Sequence, residues 1–120
     1  MVDWLKFARS KIGLDARFSK DAPLHDVRYA VLDTELTSLD ARSNRLVSVG
    51  AIAMDGAKIR MAEQFYRVVN AGVHVAAASE VVHKLRPRDV EQGIPPEQAL
   101  AELREFIEGC VLGGILCRLI

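Results

Sequence analysis

The sequence predicts an α/β domain whose opening strands run antiparallel. Three observations carry this. The apolar run in "YAVLDTELTSLD" reads as a strand, Val27 to Asp33, driven into the acids Asp33 and Glu35. Asp55-Gly56 stands between two further strand-like runs, a hairpin signature. "PPEQALAELREFIEG" then repeats apolar residues at helical spacing and leads into the short apolar stretch "CVLGGILCRLI".

The elements follow in order. Trp4, Leu5, Ala8 and Ile12 fall on one helical face with Lys6, Arg9 and Lys11 between them, so Val2 to Ile12 is expected to form a short amphipathic helix. A polar connector, "DARFSKDAPLHD", joins it to the rest, so residues 1–26 are expected to be a leading segment and 27–120 the domain proper. Val27 to Asp33 reads as a central strand, apolar on both faces. Val27, Tyr29, Val31 and Asp33 share one face, and Glu35 continues it. "TSLDARSN" supplies the turn.

Arg45 to Met54 is the second strand and Lys58 to about Val69 the third. Ile59, Met61, Phe65 and Val69 fall on one side of the third strand, interrupted by Glu63 and Arg67. Beyond the loop "NAGVHV", Ser79 is placed to cap a short helix through "EVVHKL". Pro87 suits the first turn of another short helix that Gly93 ends. The clearest helix has Pro96 at its start, Glu97 in its first turn and Gly109 beyond its end. Ala99, Leu100, Leu103, Phe106 and Ile107 make its apolar stripe, which is core. A buried fourth strand follows, and the sheet is expected to be incomplete at its C-terminal side.

Bulk composition removes several function classes. The 120 residues carry 16 Lys+Arg against 16 Asp+Glu, so nucleic acid is not held by a general basic excess. Cys110 and Cys117 lack zinc-ligand spacing and read as reduced thiols. No run reaches the ~18 apolar residues of a membrane span, and charges interrupt the N-terminal segment, so a cytoplasmic location and no membrane partner are expected. Ser48 and the other serines have no base that the sequence identifies, and no glycine-rich phosphate loop occurs. His25 and His74 read as connector and loop residues. Lys84, Arg86 and Arg88 form a small basic cluster that either meets phosphates or is balanced by Asp89 and Glu91.

The chemistry concentrates at Asp33 and Glu35. Two acids at alternate strand positions point the same way and repel, and a divalent cation removes the conflict. Mg²⁺ and Mn²⁺ prefer carboxylate oxygens and retain part of their water shell. Paired ions of this kind serve phosphodiester hydrolysis. Asp33 and Glu35 are therefore candidate metal ligands and catalytic residues.

In order, "YAVLDTELTSLDARSNRLVSVGAIAM", the Asp55-Gly56 hairpin, "FYRVVNAG", "VVHKLRPRDV", the proline-led helix and "CVLGG" resemble the first part of a DEDD-superfamily 3′-5′ exonuclease. The likeness runs from about Arg28 to Gly114 and is to exonucleases typified by the epsilon proofreading subunit of bacterial DNA polymerase III. The resemblance implies a ribonuclease H-like mixed sheet, two Mg²⁺ or Mn²⁺ ions and a nucleic-acid 3′ end, of DNA or RNA, as partner. It implies metal binding by Asp33 and Glu35, and contact with the terminal nucleotide by Leu36, Thr37 and His83. "DTELTS" departs from the family's Asp-x-Glu-Thr-Thr-Gly at Leu36 and Ser38, and Lys84 stands where Gly is usual. The family's later aspartate and histidine-aspartate motifs have no counterpart after Gly114, so these residues alone are expected to be inactive. The alternative is a non-catalytic remnant or interaction module, with a polymerase or a second copy of the chain as partner.

Overall fold

The computed structural model describes residues 21–37, 45–72 and 85–114. The expected N-terminal helix, the Ser79-capped helix with His83 and Lys84, His74, Cys117 and most of the "TSLDARSN" turn lie outside the described residues. A 3-10 turn at Leu24–Asp26 contains His25 and leads into β1, Arg28–Leu36. β2 is Leu46–Asp55 and β3 is Lys58–Val68. The short helix α1, Pro87–Glu91, precedes the longer α2, Pro96–Phe106, and β4, Val111–Gly114. The sheet order is β3-β2-β1-β4, with β4 parallel to β1 and the other neighbours antiparallel. This is the mixed sheet expected, with β1 flanked on both sides.

Alternation along the central strands separates two faces. Ala30, Leu32 and Leu36 of β1 and Leu46, Val49 and Ala51 of β2 join Phe65 and Val69 in one apolar cluster. Ala99 and Leu103 of α2, with Ile107 just past its end, close that cluster, as the helical stripe requires. Leu100 and Phe106 are half-buried at its margin. Arg67 is partly exposed because its guanidinium sits 4.8 Å from the Phe65 ring centre and its Nε donates to Glu102 Oε2 at 2.6 Å. The ion pair with Glu102 thereby ties β3 to α2, while the ring contact stays within β3.

Two glycines are demanded by geometry. Gly56 and Ala57 form the two-residue hairpin loop, and Gly56 takes φ 55 at its first position. A Cβ there would also lie 2.7 Å from His25 O. Asp55 is the last paired residue rather than a loop residue. Gly93 follows α1 as expected, but not as a left-handed cap. A Cβ at Gly93 would meet Val69 C at 2.6 Å, so the glycine lets the chain pass against the end of β3. There, Ile94 N–H donates to Val68 O at 3.0 Å and Asn70 N–H to Ile94 O at 2.9 Å.

Ile59 and Met61 do not join Phe65 and Val69 inside; they are 52% and 70% exposed. The reason is a break in the ladder. Ile52 pairs with Gln64 but Met54 pairs with Ile59, so Arg60 to Glu63 oppose the single Ala53. Period two cannot run through such an insertion. The extruded residues are held by charge: Arg28 pairs with Asp55 and Glu63, and Arg60 with the same two acids. β4 is half-buried at all four positions rather than buried, being at the edge of the described sheet.

The Arg28 hydrogen bond, aided by Arg60, holds the Glu63 carboxyl below its ordinary range. Native Glu63 thus releases its proton more readily than the unfolded chain does, so the unfolded state binds more protons in that window. The contribution is complete above the ordinary glutamate value of about 4.3 and is lost as pH falls through the lower native one. Urea unfolding between pH 3 and pH 6 (about one unit either side of that value or more) is expected to show stability falling on acidification. The fall should be shallower in Glu63→Gln.

Candidate functional site

β1 positions the two acids by simple alternation. Leu32 and Leu36 pack into the α2-facing cluster, so Asp33 and Glu35 turn to the opposite face. They stand ~7 Å apart along the strand, two residues at ~3.4 Å each. Asp33 is exposed and Glu35 half-buried. Among the described residues neither has a hydrogen-bond or ion-pair partner, so no arginine or lysine neutralises them there.

β2 shapes the floor beside them. Asp33 is paired with Gly50 and Glu35 with Ser48. Val49 and Ala51 point into the α2-facing cluster, so Ser48 and Gly50 share the acids' face. Gly50 leaves space next to Asp33. One strand further on, Tyr66 is paired with Gly50, and its ring lies 3.7 Å from where a Gly50 Cβ would stand. The row Asp33, Gly50, Tyr66 is thus an acid, a residue without a side chain and an exposed ring that reaches over it. Ser48 is only 4% exposed. It was legible in the sequence only as a serine without a base; its place beside Glu35 depends on strand register.

The other predicted residues are placed apart. Leu36 is half-buried and packs against the core cluster, on the face away from the acids. Thr37 closes the strand end: its N–H donates to Arg45 O at 2.9 Å and its Oγ1 accepts from Arg45 N–H at 3.0 Å. Arg86 of the small basic cluster grips Asp89, with Nε to Oδ2 and Nη2 to Oδ1 both at 3.0 Å, and its N–H donates to Asp89 Oδ2 at 3.1 Å. That arrangement caps α1 and favours the counterion reading of the cluster. Arg86 hydrogen bonds hold the Asp89 carboxyl below its ordinary range. Cys110 is a free thiol. No helix among the described residues is long and apolar enough to cross a membrane.

Among the described residues no third acid, histidine or cysteine joins Asp33 and Glu35 in a group that could hold a metal ion. The donor set is two carboxylates on one face of β1. That chemistry suits a hard divalent cation that completes its shell with water, such as Mg²⁺ or Mn²⁺, and lacks the cysteine and histidine ligands of a structural zinc site.

The chain is similar to known proteins in sequence and in fold. The exonuclease family model (RNase_T) matches residues 30–115. The PolC-type DNA polymerase III of Streptococcus thermophilus is 31% identical over 94 residues, covering 78% of this chain and 6% of the relative. That of Streptococcus agalactiae is 32% identical over 92 residues, 77% of this chain and 6% of the relative. The Thermotoga maritima protein of the same name is 22% identical over 94 residues, 78% of this chain and 7% of the relative. The chain therefore spans a small fraction of the length of these curated relatives. Among solved structures, cell-death related nuclease 4 superposes with a TM-score of 0.65 at 13% identity, covering 75% of this chain and 35% of its own. Exonuclease I superposes with a TM-score of 0.61 at 13% identity, covering 73% and 20%. Both share the fold, a ribonuclease H-like mixed sheet.

Proposed function

The chain belongs to the exonuclease family within the DEDD superfamily, and from that premise we propose that it supplies the first metal-binding acid pair of a 3′-5′ exonuclease. The observation that carries this reading is the placement of Asp33 and Glu35 together on one face of β1, opposite the α2-packed core. Asp33 and Glu35 hold Mg²⁺ or Mn²⁺, two ions in the complete site. Bound there, such ions activate water and stabilise the leaving oxygen of a phosphodiester. The chain's own part is to fix two like charges on a stiff central strand, where each raises the other's demand for a counter-cation.

Leu36, Thr37 and His83 are assigned to the 3′-terminal nucleotide. Leu36 contributes only its solvent-facing edge, and Thr37 keeps the strand end rigid through Arg45. Residues 27–120 are assigned to the exonuclease fold and 1–26 to a leading segment; the family match over 30–115 supports that division. The PolC-type relatives favour a polymerase as partner, and with it a cytoplasmic site of action. With one acid pair and no third ligand among the described residues, these 120 residues alone bind metal weakly and cleave little.

Fluorescence anisotropy with single-stranded oligonucleotides of free or blocked 3′ end, in Mn²⁺, tests the reading. Binding is expected to need both Mn²⁺ and a free 3′ end, to disappear in Asp33→Ala, and to leave the oligonucleotide nearly intact. Equal binding of blocked and free ends, unaffected by Asp33→Ala, would refute the exonuclease assignment. Vigorous digestion that Asp33→Ala abolishes would refute only the inactivity of the isolated residues.

A further inference from the structure

We propose that Ser48 is a positioning residue: its hydroxyl, unpartnered among the described residues, donates to the Glu35 carboxylate when that carboxylate turns to hold a divalent cation, and fixes its orientation toward the ion. The inference rests on the assignment of Asp33 and Glu35 as ligands and names a part of that site the family match does not. Ser48 is the buried polar residue of the described core, 4% exposed, and its hydroxyl has no partner among the described residues. A buried hydroxyl left unpaired costs about 1–3 kcal/mol, so a strand position this enclosed favours Ala or Val unless an acceptor is at hand. The acceptor the register supplies is Glu35, directly opposite. Directly opposed side chains have Cβ atoms about 4.5–5.5 Å apart, within reach of a hydroxyl-to-carboxylate bond. Glu35 is half-buried and likewise without a partner among the described residues, so it has lone pairs to offer.

The ladder marks the same place. Between Glu35 and Leu36 the register shifts: Glu35 pairs with Ser48 but Leu36 with Leu46, and Val47 is passed over. A bulge of this kind re-aims side chains. Here it lies beside the one pairing that sets a hydroxyl against a candidate ligand. A charge-assisted bond from Ser48 restricts the Glu35 rotamers and leaves its other lone pairs free for metal.

The test is Mn²⁺ affinity of the metal-free 120-residue chain, read by electron paramagnetic resonance of free Mn²⁺, in wild type, Ser48→Ala, Ser48→Val and Ser48→Thr. Circular dichroism of each variant reports its fold. Loss of an outer-shell partner weakens metal binding about 10–100-fold; Ser48→Ala and Ser48→Val are expected near the lower end, and Ser48→Thr, which keeps the hydroxyl, is expected to restore wild-type affinity. Wild-type affinity in both Ala and Val variants overturns the proposal while leaving Asp33 and Glu35 as ligands. A folded Ser48→Thr as weak as Ser48→Ala assigns the effect to packing and overturns it too. A wild-type chain that takes up no Mn²⁺ overturns the ligand assignment itself, and this inference with it.

Discussion

Leu103→Ala is expected to lower the unfolding free energy by about 2–5 kcal/mol, a large share of the 5–15 kcal/mol that holds a typical domain together. Leu103 is 1% exposed at the centre of α2 and belongs to the cluster that joins the helix to β1, β2 and β3. α2 is the long helix of the described structure, and its contacts with the sheet run through Ala99, Leu103 and Ile107. Truncating the middle residue removes transfer free energy and leaves a cavity between a helix and a sheet that cannot both relax into it. Urea denaturation should show a lower midpoint at unchanged slope. Leu100→Ala, at a half-buried position of the same helix, should cost less. Equal losses at the two positions would mean that α2 does not pack as the burial pattern requires.

Asp33→Asn is expected to weaken Mn²⁺ binding by about a hundredfold, the upper end of what outer-shell changes produce, because it removes a ligand charge outright. The same substitution should leave metal-free stability unchanged or slightly higher. Asp33 is exposed and has no protein partner among the described residues, so nothing favourable is lost, and repulsion from Glu35 is relieved. This pairing of outcomes separates a ligand from a structural acid. Glu63 is the contrasting case: its arginine partners make its neutralisation destabilising. If Asp33→Asn unfolded the chain, or bound Mn²⁺ as tightly as the wild type, the acid pair would not be a metal site.

Most of the fold was legible because local signals and long-range packing agree. β1 was expected over Val27 to Asp33 and runs Arg28–Leu36, since the ladder to β2 continues past the acids. The proline start and the apolar stripe of α2 were read from spacing alone, and Gly109 takes φ 76 beyond its end as a terminating glycine should. What failed in the sequence were features set by register. Ile59 and Met61 alternate as if inward, but the insertion opposite Ala53 breaks the period and the arginine-carboxylate network holds it open. Gly93 does stand just past α1 as read, but the reason for a glycine there, the backbone approach from the end of β3, is not a local signal. Asp33 and Glu35 were visible because period two needs only the strand itself. Ser48 and Gly50 were not visible as their neighbours, because pairing across strands is not written in either strand alone.

Backbone amide NMR during Mn²⁺ titration of the 120-residue chain tests most directly whether the acid face of β1 is the metal site. Paramagnetic broadening should centre on Asp33 and Glu35, extend across the ladder to Ser48 and Gly50, and vanish in Asp33→Asn. Broadening centred elsewhere, as on the exposed acids of α2, or none at all, would contradict the account.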